Sequence, residues 1–155
     1  MLEEVFMKSG KLLVISAFFA FILTSSLRAA DRPTSTSCPF GLASGQVARL
    51  NILNASEDQG FIIDWKFLAE DHSVLKSSSE PVAINPGRIA SFDLAYDEIP
   101  RPGDRTQMRL NIYSLGGPDT FEQNALLSIE IFDRATGRTS IFLGGAQVKG
   151  CSNNL

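Results

Sequence analysis

Phe61-Ile62-Ile63-Asp64-Trp65-Lys66-Phe67-Leu68-Ala69 is the stretch that decides the fold class. Side chains on an extended strand alternate between two faces. Phe61, Ile63, Trp65, Phe67 and Ala69 therefore share one face, and Asp64 and Lys66 share the other. No other segment offers so much apolar area on one side, and this one holds the single tryptophan of the chain. The remaining segments must supply surfaces that cover it.

Working outward, the same alternation recurs. Ala48, Leu50 and Ile52 oppose Arg49 and Asn51. Ala90, Phe92 and Leu94 oppose Ser91 and Asp93. Met108, Leu110 and Ile112 oppose Arg109, Asn111 and Tyr113, and Leu127, Ile129 and Ile131 fall together. Polar turns separate the runs. Glu70-Asp71-His72-Ser73 joins the Trp65 strand to Val74–Ser77 as a hairpin. Asn85-Pro86-Gly87-Arg88 has Pro and Gly where a type II turn needs them. Asp133–Arg138 is a hairpin turn with Gly137 at the positive-φ position. Ala95–Asp104 and Ser114–Gln123 read as long loops. Strand runs at this spacing, with no helical period past the leader, indicate an all-β chain. The expectation is a single antiparallel β-sandwich of roughly seven to nine strands, immunoglobulin-like in general architecture. A small closed barrel is the alternative.

The chain does not open as a globular domain. Lys8 and Lys11 precede the apolar run Leu12–Leu23, and small and polar residues follow it. That order describes a secretory signal peptide over residues 1–29. The run is too short for a membrane helix, which needs about 20 residues. Glu3 and Glu4 are foreign to such a leader, so Met7 is expected to be the true start. Residues 30–37 read as a polar linker, and 38–155 as the sandwich domain. Removing Lys8, Lys11 and Arg28 from 14 basic residues, and Glu3 and Glu4 from 17 acidic ones, leaves 11 against 15, a net charge near −4. A weakly acidic surface of mixed sign argues against nucleic acid or an anionic membrane as partner. No membrane span is expected in the mature chain.

Cys38 and Cys151 are the only two cysteines. In an exported protein such a pair reads as a disulfide, here tying the first ordered segment to the last. Closing so long a loop is worth about 4–5 kcal/mol in the chain-entropy account. The cysteines sit at the ends rather than across a central Trp, so the immunoglobulin fold proper is not implied.

Catalytic chemistry finds little to work with. His72, the only histidine, lies between Asp71 and Ser73 in a turn, whereas triad members come from separate elements. One histidine and two bridged cysteines cannot supply a zinc site. Calcium needs only oxygens. Glu57, Asp58, Glu80, Asp97, Glu98 and Asp104 all fall in loops, and simple strand reversals would gather them at one end; with no D-x-D-x-D-G loop and with Arg101 and Arg105 nearby, they read as solvated loop ends. No cofactor is expected. Candidate ligand contacts are the loop residues Tyr96, Arg101 and Phe121, and Tyr113 on the polar side of its strand; rim packing is the bland alternative for the aromatics. Arg49, Asp64, Lys66, Asp93, Arg109 and Glu130 read as a solvated face with cross-strand pairs. Asn54-Ala55-Ser56 is a glycosylation sequon in an expected loop.

Pro39-Phe40-Gly41-Leu42-Ala43-Ser44-Gly45-Gln46-Val47-Ala48-Arg49-Leu50-Asn51 resembles the opening of a group of small exported bacterial proteins. Asn85–Arg88 before Ser91–Leu94 resembles the same group, as does Ile131–Thr139. These are strand and turn motifs. The resemblance implies a β-sandwich and export, and it supplies no active-site residues. The first functional expectation is therefore an exported, non-enzymatic binding or surface-interaction module, taking a protein or carbohydrate ligand through the loops Ala95–Asp104 and Ser114–Gln123. A structural subunit assembling by edge-strand addition comes second, and a carboxylate-dependent hydrolase third.

Overall fold

The computed structural model of the protein describes residues 32–100, 103–116 and 118–144. The leader, Arg101 and Cys151 lie outside the described residues, so the signal peptide and the Cys38–Cys151 pairing are not part of the architecture below.

Among the described residues ten strands form two antiparallel sheets. In chain order they are β1 (Ser35–Thr36), β2 (Phe40–Ala43), β3 (Gln46–Asn54), β4 (Phe61–Ala69), β5 (Val74–Ser77), β6 (Val82–Ile84), β7 (Ile89–Ala95), β8 (Arg105–Ser114), β9 (Ala125–Asp133) and β10 (Thr139–Gly144). The first sheet has β8 and β4 at its centre. β1 and β2 follow one another along the outer side of β8, and β5 and β6 share the outer side of β4. The second sheet runs β10-β9-β3-β7. Among the described residues both sheets keep open edges, and the fold is a sandwich and not a barrel.

The alternation read from the sequence sets which face is buried. Phe61, Ile63, Trp65 and Phe67 of β4 meet Ala48, Leu50 and Ile52 of β3, Leu110 and Ile112 of β8, and Leu127, Ile129 and Ile131 of β9 in one core. Leu68 is buried as well, although its parity is outward; the β4–β5 register shifts between Phe67 and Leu68, and a bulge re-aims the side chains there. The three expected turn geometries are present. Gly87 and Gly137 have φ of 67° and 68°, and His72 sits at φ 67° in the β4–β5 turn. The amide of Arg88 donates to the carbonyl of Asn85 at 3.1 Å, closing the Pro-Gly turn.

Three expectations are corrected. The end of the polar linker is structural: Ser35 and Thr36 pair with Ile112 and Asn111. The Ser37 amide donates to the Leu110 carbonyl, and its Oγ accepts from the Leu110 amide, both at 2.9 Å. Short hydroxyl side chains here complete the edge of β8, which their composition alone marked as spacer. Within Ser114–Gln123, a helix α1 (Pro118–Asn124) replaces the expected loop. Seven residues are too few to show a period in the sequence; the helix is held by Phe121, 1% exposed, whose ring stands edge-on to Phe61 at 5.2 Å. Asn54, placed in a loop by its polarity, is the last residue of β3 and is fully buried.

Candidate binding cleft

Register fixes which loops share an end. Phe61 pairs with Ile84, Ile63 with Ser114, and Asn54 with Ala125. One end of the sandwich therefore carries the 55–60 loop, the 85–88 turn and α1. Ala69 pairs with Met108 and Val47 with Ala95, so the other end carries the 70–73 turn, the 96–104 connection and the 133–138 turn. The two loops expected to cooperate in binding thus lie at opposite ends.

The candidate contacts scatter accordingly. Tyr96, 8% exposed, begins a 3-10 turn and belongs to the core; its hydroxyl donates to the Gly103 carbonyl. Phe121 is the plug beneath α1. Both rings are committed to packing, and Phe121 also borders a cavity of about 240 Å³ with Thr34, Ser35 and Glu122. Tyr113 is on the outer surface of the first sheet, where the Lys66 ammonium lies 5.1 Å from its ring centroid. The carboxylates split too. Glu57 and Asp58 sit at the first end, and Asp97, Glu98 and Asp104 at the second, where Glu98 pairs with Lys76 at 2.5 Å and Asp97 with Arg134 at 3.5 Å. Among the described residues no group of three or more His, Cys, Asp or Glu could hold a metal. His72 is exposed in its turn. Asp71 beside it accepts from the Ser73 hydroxyl and amide, which hold its carboxyl below the usual range.

The outward charges divide between the two sheets. Arg49 and Asp93 form a two-pronged pair across β3 and β7, at 2.7 and 2.8 Å. That pair raises the Arg49 pKa above its ordinary value. The same guanidinium lies 4.9 Å over the Phe132 ring. The sequon is also resolved. The Asn54 side-chain amide, the atom that would carry a glycan, donates to the carbonyls of Gln59 at 2.8 Å and Ile84 at 3.0 Å, while Oδ1 accepts from the Ser56 amide at 3.0 Å. In the folded chain this amide is buried and bonded, so the sequon is not presented to a transferase acting on the native protein.

A cleft does exist where the sequence reading placed only core. β5 and β6 edge the first sheet, β7 edges the second, and the two edges do not pair. Between them opens a cavity of about 370 Å³. Its floor is aromatic: the Trp65 ring lies 5.0 Å from Phe92 at a tilt of 35° and takes Phe67 edge-on at 5.5 Å. Val82 extends the apolar surface, and Lys76, Ser77, Ser79 and Glu80 line the rim. Ser78 clamps the tryptophan backbone, accepting from the Trp65 amide at 3.2 Å and donating its own amide to the Trp65 carbonyl at 3.1 Å; its hydroxyl donates to Asp64. Trp65 is 5% exposed, yet its indole Nε1 is buried without a hydrogen-bond acceptor. A buried donor left unpaired costs roughly 1–3 kcal/mol, so native structures rarely carry one without a use for it. No signal in the sequence distinguished Trp65 from an ordinary core residue, because period-two parity reports only the face.

No family model matches the chain, and no curated protein matches it. Among solved structures, the crystal structure of Thermotoga maritima 1070 is similar at 17% identity and a TM-score of 0.45, over 75% of this chain and 94% of that one. Among the described residues no helix is long and apolar enough to cross a membrane.

Proposed function

We propose that this chain is an exported, non-enzymatic binding module whose ligand seats in the seam between the β5–β6 edge and β7. The observation that supports this reading is Trp65: a rigid aromatic ring stacked against Phe92 at the floor of a mostly apolar cleft between two sheet edges. Pockets that bind ligands combine apolar walls with a few placed polar groups, and Trp65, Phe92 and the serine-rich rim provide that combination. Export through the leader and closure of the chain by a Cys38–Cys151 disulfide belong to the same reading. Because Trp65 is the single tryptophan, its emission reports the cleft directly. Titration with peptide and oligosaccharide panels is expected to shift that emission and to saturate. A ligand that binds tightly while Trp65 emission stays fixed would place binding elsewhere and refute the seam. Absence of free thiols in the exported product is the expected result for the disulfide.

A second reading, a subunit assembling edge to edge, draws on the side of β7 that no strand among the described residues pairs with. It requires mass to grow with concentration in light scattering.

A further inference from the structure

Natural sheets block their edges with short strands, bulges, prolines or lysines. Among the described residues every edge strand but one follows that rule. β1 has two residues and β2 four, the latter just after Pro39. β6 has three residues, preceded by Pro81 and followed at a distance of two by Pro86. β5 is four residues long, bears Lys76 and pairs across a register shift, and β10 pairs across another. β7 is the exception. Its pairing with β3 runs without a break from Ile89–Leu53 to Ala95–Val47. It contains no proline and no lysine, and its one charge, Asp93, is held by Arg49. Ile89 to Asp93 are exposed or half-buried, a run of about 17 Å at 3.4 Å per residue. Half the backbone donors and acceptors of such a strand point away from β3.

The open edge and the cleft are the same place, because Phe92 of β7 is one wall of the cleft. We infer that the seam takes an extended peptide of a partner protein, added to the second sheet as a strand beside β7. This rests on the reading of the cleft as the ligand site. Backbone pairing would supply affinity, and side chains at alternate positions would supply selectivity. Parity sets the spacing. A residue opposite Phe92 points inward onto the aromatic floor. A residue opposite Ile89, three positions away, points outward. There Ile89, 65% exposed, continues an apolar row across Leu53 to Leu126, 59% exposed. The peptide therefore carries apolar residues three positions apart. Glu80 at the rim has no ion pair among the described residues, whereas Lys76 is matched by Glu98. The complementary peptide accordingly carries a basic residue beside its inward apolar one.

The test selects random decapeptides on phage against the intact chain, processed by its host. Selected peptides are expected to show the three-residue apolar spacing with an adjacent Lys or Arg, to shift Trp65 emission, and to slow hydrogen exchange in residues 89–93. N-methylation of alternate peptide amides on one edge is expected to weaken binding by about tenfold or more, and methylation of the opposite edge to leave it unchanged. Glu80→Lys, at an exposed position, is expected to lower affinity for the basic peptide by about threefold to tenfold and to enrich acidic peptides on reselection. Peptides that move Trp65 emission without protecting β7, and that tolerate methylation on either edge, would overturn strand addition while leaving the cleft as the binding site. If neither peptides nor oligosaccharides move the emission, the cleft reading falls as well. Protection of 89–93 that grows with protein concentration in the absence of peptide would make a second copy the occupant and overturn the partner peptide.

Discussion

Replacing Asn54 by alanine should be among the most damaging polar substitutions available to this chain. The residue closes the end of β3 from five directions. Its backbone amide donates to the Arg88 carbonyl at 2.9 Å, and its carbonyl accepts from the Gly87 amide at 2.8 Å. Its side chain bonds Gln59, Ile84 and Ser56. Alanine keeps the two backbone bonds and removes the three side-chain ones. The Ile84 carbonyl lies in the core and loses its Asn54 bond where water cannot replace it. The Gln59 carbonyl and Ser56 amide are nearer the surface and rehydrate in part. At about 1–3 kcal/mol for a buried group and less for the other two, the total is about 2–4 kcal/mol. With a urea slope of about 1.5 kcal/mol per molar, the unfolding midpoint falls by roughly 2 M. Asn54→Asp sharpens the test. A carboxylate cannot donate to the two carbonyls and repels both. Burial against the two carbonyls, with only the Ser56 amide left to donate, raises its folded pKa above the unfolded one, so its relative stability is best at low pH and is lost as pH rises through the folded value. Equilibrium unfolding at pH 4 and pH 7 measures both effects. An alanine variant within about 0.5 kcal/mol of the parent would refute the account of the β3 end. The same burial predicts that a transferase acting on the native protein leaves the mobility of the chain unchanged.

Other perturbations separate packing from backbone effects. Phe121→Ala removes the plug that seats α1 on Phe61 and should cost about 3–5 kcal/mol in thermal or urea unfolding. His72→Gly should be neutral or stabilise by up to about 1 kcal/mol, because φ 67° strains any residue with a Cβ, while His72→Val should destabilise; differential scanning calorimetry distinguishes them. Ser73→Ala removes the two-fold support of Asp71 in part, so the Asp71 carboxyl should titrate closer to its ordinary value of 3.8 by NMR. The sign follows from linkage: a depressed folded pKa gives stability above the ordinary value that is lost as pH falls through the folded one.

Much of the fold was legible because it rests on local rules. Period-two parity picked the inward residues of β3, β4, β7, β8 and β9. Gly87 and Gly137 identified their turns because only a residue without Cβ takes positive φ freely. Local rules failed where tertiary context reversed composition. Ser35 and Ser37 have the composition of a spacer, yet they complete the edge of β8, where the Ser37 hydroxyl accepts from the Leu110 amide. Asn54 has the polarity of a loop residue, yet three backbone groups converge where β3 ends and only a side-chain amide offers both donors and an acceptor to them. Pro118–Asn124 is helical through one aromatic contact made with a residue sixty positions earlier.

The candidate site was illegible for a deeper reason. Trp65 and Phe92 each have inward parity, and parity is all that their segments record. Whether an inward ring is enclosed or opens on a cleft depends on the strand beside it. β4 is central in its sheet, but its outer neighbour is divided between β5 and β6, which meet at the Ser78–Pro81 break. β7 ends its sheet because β3 spends its other side on β9, which lies some seventy residues further along the chain. Strand order, and not any motif, therefore decides that a gap forms between the two sheets. It also decides that the gap is walled by the two largest aromatic neighbours of the seam and by an edge without a block. Inserting a proline at Ser91 should separate these contributions. If β7 presents its outer face to a strand, Ser91→Pro should cut peptide affinity whichever side of the ladder it disrupts; the Trp65 emission of the free protein, fixed by Phe67, Phe92 and Ser78, should stay close to that of the parent. A large change in that emission would show that the cleft and the edge are one cooperative unit, and would leave N-methylated peptides as the sole measure of strand pairing.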